Sequence, residues 1–271
     1  MTPLREELGR AIAAVLRAGF PMVSMPEILP LQPGKMPGRG DWVCTFCLQA
    51  ARKSGIPAQR LALYAALNLP LDKLPLAYVR AEQGFLNLQL ADGWYQQTLT
   101  ELARMPWESL NAEPRALRSE GLPADAARFL ALAPDGARLE RENPEWYLRR
   151  DRENPLYDIR YTCKRAGMLA SRTDASRETD CLTPAYRRHV KNLYACAEAY
   201  AAQDAAALLG SLRRAAQSFR QVYEEEKPGF RAGLLAAATS RVLGGRLKAL
   251  ALGRNVADVP NPICPEGGGN A

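Results

Sequence analysis

The sequence predicts an α+β N-terminal domain, helices on a small antiparallel sheet, joined to an all-α helical bundle. Two observations carry this. Over residues 75–91 apolar and polar residues alternate on either side of a Gln83-Gly84 turn. Leu86, Leu88 and Leu90 fall on one face, and Phe85, Asn87 and Gln89 on the other. From residue 183 onward the period changes, and apolar residues recur every three or four positions through long segments. Leu208, Leu212, Ala215, Phe219 and Val222 form one such stripe. No glycine-rich phosphate loop of the P-loop or dinucleotide type occurs in the chain.

Taken in order, Leu4, Leu8, Ile12, Val15 and Leu16 predict an amphipathic helix over 3–18 that Gly19 can end. A Pro- and Gly-rich stretch, partly extended between Met22 and Leu31, leads to Asp41. Asp41 reads as the cap of a helix carrying Trp42, Val43, Cys44, Cys47, Leu48 and Ala51 and stopping near Gly55. Pro57 starts another helix through about Asn68, and a helix follows Asp92 to about Leu102. Residues 106–119 are irregular, with Pro114 breaking any helix. Helices over 183–200, 205–223 and 234–252 complete the bundle. The domain limits are therefore 1–98, a linker over 99–120, a helical domain over 121–256 and a Gly-rich tail over 257–271.

A chain of 271 residues can bury a core in each of two domains. The formal net charge is +7, and residues 205–254 hold nine basic against three acidic side chains, which suits a polyanionic partner as well as plain solubility. No apolar run approaches the ~20 residues of a membrane span. The N-terminus carries Glu6 and Glu7 and no apolar signal core, so a cytoplasmic protein with reduced thiols is expected. Cys44-x-x-Cys47 lacks both a second ligand pair and a preceding thioredoxin-like strand, and reads as core packing. No metal or cofactor is expected.

The most informative stretch runs from Glu153 to Arg165. Asn154 is a good N-cap and Pro155 suits the first helical turn. Tyr157, Tyr161 and Arg165 then share one helical face, with Arg160 and Lys164 adding charge beside the rings. Flat rings mixed with cations suit unstacked bases and phosphates. The same pattern also describes an amphipathic helix whose tyrosines pack a bundle and whose cations are solvated.

The Asn-Pro-x-Tyr start, the Tyr four residues later and the Arg four after that resemble the opening of the DALR anticodon-binding domain of arginyl-tRNA synthetases. Asp125-Ala126-Ala127-Arg128 resembles the Asp-Ala-x-Arg signature of that domain, and Pro134-Asp135 its Ser-Pro-Asp turn. Phe219 and Tyr223 resemble its Phe-Asn-x-x-Tyr segment, with Arg220 at the Asn position. Near the N-terminus, Gly40-Asp41-Trp42, Leu48-Gln49-Ala50-Ala51 and Gly84-Phe85-Leu86-Asn87 resemble the additional domain of the same family. The resemblance implies tRNA as partner. Tyr161 and Arg165, with Tyr157, Arg160 and Lys164, would lie on the anticodon side. Phe85 and Asn87 would lie beside the D-loop, where Gln89 joins them through its shared strand face.

The pattern departs from the family at Asp158, where a second Tyr is usual, at Arg160 for Gln and at Cys163 for His. A carboxylate near an anticodon loop would repel phosphate. The single histidine, His189, reads as a surface residue of a basic helix and cannot supply the His-x-Gly-His pair that class I synthetases use for ATP. The expectation is a non-catalytic relative, without the Rossmann catalytic domain, that binds tRNA, with tRNA-Arg the natural first candidate. The alternative is an accessory subunit that presents tRNA to a synthetase or a tRNA-modifying enzyme.

Overall fold

The structure is a computed structural model that describes residues 4–34, 40–106, 122–133, 147–173, 182–225, 233–250 and 252. The Pro134-Asp135 turn, most of the linker and the 257–271 tail lie outside the described residues. The chain forms two compact units, Met1–Gln97 and Thr98–Ala271, with the division falling inside a helix.

The first unit sets helices against a four-stranded antiparallel sheet. The helices are α1 (Leu4–Gly19), α2 (Phe46–Ser54) and α3 (Ala58–Asn68), and α4 (Asp92–Arg104) begins here. The strands β1 (Leu31–Pro33), β2 (Trp42–Cys44), β3 (Leu76–Glu82) and β4 (Phe85–Leu90) take the order β1-β2-β4-β3. Leu4, Leu8, Ile12 and Leu16 of α1 are buried, as their spacing predicts. Leu86, Leu88 and Leu90 of β4 are fully buried. The β3–β4 turn places Gln83 at φ 51° and Gly84 at φ 82°, the positive values that a two-residue hairpin turn requires. A Cβ on Gly84 would also come within 2.8 Å of the Leu48 side chain.

The helix expected from Asp41 begins later. Trp42–Cys44 is a strand, and the helix starts at Phe46 after Thr45. Asp41 is no cap. Its side chain is buried and its Oδ2 accepts from the Leu90 N–H at 2.9 Å, the Tyr95 hydroxyl at 2.6 Å and the Gln89 amide at 2.5 Å. A carboxylate so supplied with donors fixes β2 beside β4, and the pairing overrides the local helical pattern. The helix does end at Gly55, which takes φ 71°. Cys44 and Cys47 are fully buried, and burial pushes their thiols up to about 11 and about 12.

The second unit is helical: α5 (Ala124–Leu132), α6 (Pro155–Ala170), α7 (Pro184–Ala201), α8 (Ala205–Glu225) and α9 (Gly233–Ala249). α7 packs mainly on α8 and α9 on α6, while α8 also meets α6. α4 runs to Arg104, with Leu99 and Leu102 buried.

His189 corrects a second expectation, since it is fully buried. Its ring lies 5.4 Å from Phe219, with Nδ1 2.9 Å from Ser218 Oγ and Nε2 2.8 Å from Thr239 Oγ1. Burial holds the imidazole down to about 3, so it is neutral near pH 7. A neutral ring has one N–H. Thr239 donates its hydroxyl to the Leu235 carbonyl at 2.6 Å and Ser218 donates to the Arg214 carbonyl at 2.8 Å, so each hydroxyl oxygen is an acceptor for whichever ring nitrogen carries the hydrogen. The histidine therefore ties α7, α8 and α9 together inside the bundle. Among the described residues no helix is long and apolar enough to cross a membrane.

Candidate nucleic-acid interface

In the second unit the candidate residues lie on α6. Asn154 caps the helix, its Oδ1 accepting from the N–H groups of Leu156 and Tyr157 at 3.0 and 3.2 Å. Its amide donates to the carbonyls of Tyr147 and Arg149 at 2.7 and 2.8 Å, which anchors the preceding segment. Pro155 occupies the first turn. From this start Tyr157 and Tyr161 stack on each other with ring centroids 6.2 Å apart and planes at 25°. Both are half-buried, and the exposed Arg152 places its guanidinium 5.8 Å from the Tyr161 ring centre.

The charges around these rings are largely paired within the bundle. Arg160 forms an ion pair with Asp125 and donates to the Leu252 carbonyl at 2.6 Å. It is therefore not the solvated cation of the plain amphipathic-helix reading. Asp125 and Arg128, the charged ends of the Asp-Ala-Ala-Arg signature, both act internally, with Arg128 Nε donating to the Leu250 carbonyl at 2.7 Å. The two tie α5 to α6 and to the chain following α9. Arg165 donates to the Tyr223 hydroxyl at 2.6 Å with its guanidinium 4.9 Å from that ring centre. Lys164 is half-buried on the same helix.

Asp158 is buried and forms an ion pair with Arg220 of α8. Burial pushes its carboxyl above the ordinary value, opposed by the nearby charges of Arg220, Arg152 and Arg213. The carboxylate thus faces the bundle, and the phosphate repulsion expected of it is muted by Arg220. Another cation is also internal. Arg246 is fully buried with its guanidinium 3.5 Å from the Tyr200 ring centre, and burial lowers it to about 9. The formal charge of +7 therefore overstates the positive surface.

In the first unit the register places Phe85 opposite Glu82, Asn87 opposite both Val43 and Arg80, and Gln89 opposite Tyr78. These residues share one sheet face, yet that face is not open throughout. Asn87 is only 4% exposed, because β4 is an interior strand with neighbours on both sides. Gln89 is tied to Asp41. Phe85 is half-buried. Sequence reasoning missed Tyr78 and Arg80, whose guanidinium lies 5.5 Å from the Tyr78 ring centre on that same face. The alternation of Tyr78, Arg80 and Glu82 along β3 is the signal that could have found them. Among the described residues no cluster of three or more His, Cys, Asp or Glu is placed to hold a metal ion.

No protein-family model matches the chain, and no curated protein sequence matches it. Among solved structures it is similar to the Thermus thermophilus arginyl-tRNA synthetase, at 16% identity and a TM-score of 0.31. That match covers 92% of this chain and 39% of the synthetase, so the chain spans well under half of its length. A likeness at this level assigns neither a family nor an activity.

Proposed function

We propose that this chain is a non-catalytic tRNA-binding protein, with tRNA-Arg the first candidate ligand. The observation that carries the reading is the half-buried Tyr157–Tyr161 stack under Arg152, an aromatic platform with a cation beside it. The ordered resemblances around Asp41, Phe85, Asp125 and Asn154 support tRNA over other polyanions. Phosphate contacts from arginines and lysines would supply affinity, while the rings would take unstacked bases. On the first unit, Phe85 with Tyr78 and Arg80 is the corresponding patch for the tRNA corner. Crosslinking in the native host followed by sequencing of the bound RNA tests the proposal. Enrichment of tRNA is the expected result, and a pool without it would overturn the reading.

A second reading has its own observation. Leu63 and Leu67 of α3 and Leu71 just beyond it are 48%, 75% and 36% exposed at a spacing of four. Such a stripe suits a protein partner, as an accessory subunit that presents tRNA to a synthetase or a modifying enzyme would need. Purification from the host with one stoichiometric protein, lost on Leu67→Lys, would favour it.

A further inference from the structure

We infer that Arg152, Arg213 and Arg220 form a phosphate site beside the tyrosine stack, so that one unpaired nucleotide lies with its base on Tyr161 and its phosphate on these guanidiniums. This rests on the RNA-binding proposal above and names the second half of that site. Helix register brings the cations together. Arg213 and Arg220 lie seven residues apart on α8, two turns along one face. Arg220 reaches across to Asp158 of α6, the residue after Tyr157. Arg152 comes from the turn before α6, with its guanidinium 5.8 Å from the Tyr161 ring centre. Burial raises the Asp158 carboxyl, and the charges of Arg220, Arg152 and Arg213 oppose that rise.

Three guanidiniums thus meet one carboxylate, which leaves two positive charges in surplus. Asp151 and Glu153 in the preceding turn are matched by Arg149 and Arg150. Asp151 accepts from the N–H groups of Glu153 and Asn154 at 3.0 and 3.2 Å, and Glu153 is paired with Arg149. Burial orders the cluster. The Asp158 side chain is 6% exposed, whereas Arg152 is exposed and Arg213 and Arg220 are half-buried, so the acid lies beneath and the bases meet solvent. Like charges gathered this way repel. A phosphate among them relieves the repulsion and takes paired hydrogen bonds from the planar forks. A nucleotide carries base and phosphate on one sugar. The stack offers the ring face, and Arg152, near both the ring and the cluster, joins the two halves.

The test measures affinity of the full chain for a tRNA-Arg transcript across a salt series. Each lost phosphate contact should flatten the slope of log affinity against log salt by about 0.7–0.9. Arg213→Gln should show that loss, and so should Arg152→Gln, at an exposed position outside the core. Arg213→Lys should restore most of the parental slope. Tyr161→Ala should weaken binding with the slope unchanged. Because one nucleotide is held at both ends, Arg213→Gln combined with Tyr161→Ala should weaken binding by less than the product of the two single fold-changes, by about threefold or more. A parental slope in either arginine-to-glutamine variant, or a double variant at the full product, would overturn the inference while leaving RNA binding intact. A parent that binds no tRNA would remove the proposed function, and this inference with it.

Discussion

Asp158 of α6 and Arg220 of α8 form an ion pair within the helical unit, with the Asp158 side chain 6% and the Arg220 side chain 27% exposed. Neither residue alone suits its place. A lone carboxylate between packed helices is costly, and a lone guanidinium there hardly less so. Asp158→Ala is expected to destabilise the protein by about 2–4 kcal/mol, short of the fully buried limit because Arg220 keeps some solvent. Asp158→Leu with Arg220→Met is expected within about 1 kcal/mol of the parent. Urea unfolding of both singles and the double measures the coupling.

The tyrosine stack is expected to act on RNA rather than on stability. Tyr157 and Tyr161 are half-buried, so truncation removes little core. Tyr161→Ala should weaken RNA binding by about 1–3 kcal/mol, while thermal unfolding shifts little. Fluorescence anisotropy with labelled tRNA, alongside a melt, separates the two effects.

His189 gives the bundle an acid-sensitive element. Its folded pKa is depressed to about 3 from an ordinary value of 6.5, so the unfolded chain binds this proton first. Its contribution is intact above pH 6.5 and is lost as pH falls toward 3. Between pH 7 and 4.5 the parent should lose about 2.5 kcal/mol more than His189→Leu. Urea midpoints at the two pH values check this.

The buried thiols yield a prediction about reactivity. Cys44, Cys47, Cys163 and Cys196 are all buried, and burial pushes each to about 11 or 12. At pH 8 iodoacetamide should leave these four unmodified in the native protein and label them in urea. Peptide mass mapping reads each site separately. Rapid native labelling of Cys44 and Cys47 would instead mark an accessible pair.

Much of the fold was legible because its signals are local. Asn154-Pro155 caps and starts α6, and Gln83-Gly84 turns the hairpin, through chemistry contained in two neighbouring residues. The strand at Trp42–Cys44 was not legible, because its state is decided by Leu90, Gln89 and Tyr95, all more than forty residues away, meeting the Asp41 carboxylate. The candidate site shows the same limit. The spacing of Tyr157 and Tyr161 gave their shared face. It could not show that Arg160, Arg165 and Asp158 have partners on α5 and α8, nor that pairing on both sides of β4 buries Asn87. His189 was misplaced for a similar reason: a basic local sequence says nothing of the Ser218 and Thr239 hydroxyls that face its two ring nitrogens.

The most direct measurement of the central claim is the affinity of the purified chain for tRNA as a function of salt. Binding that weakens linearly in log–log form as salt rises, by about tenfold or more between 50 and 200 mM, is the predicted result, since each neutralised phosphate releases counterions. No binding at 50 mM salt, or an affinity indifferent to salt, would contradict the account.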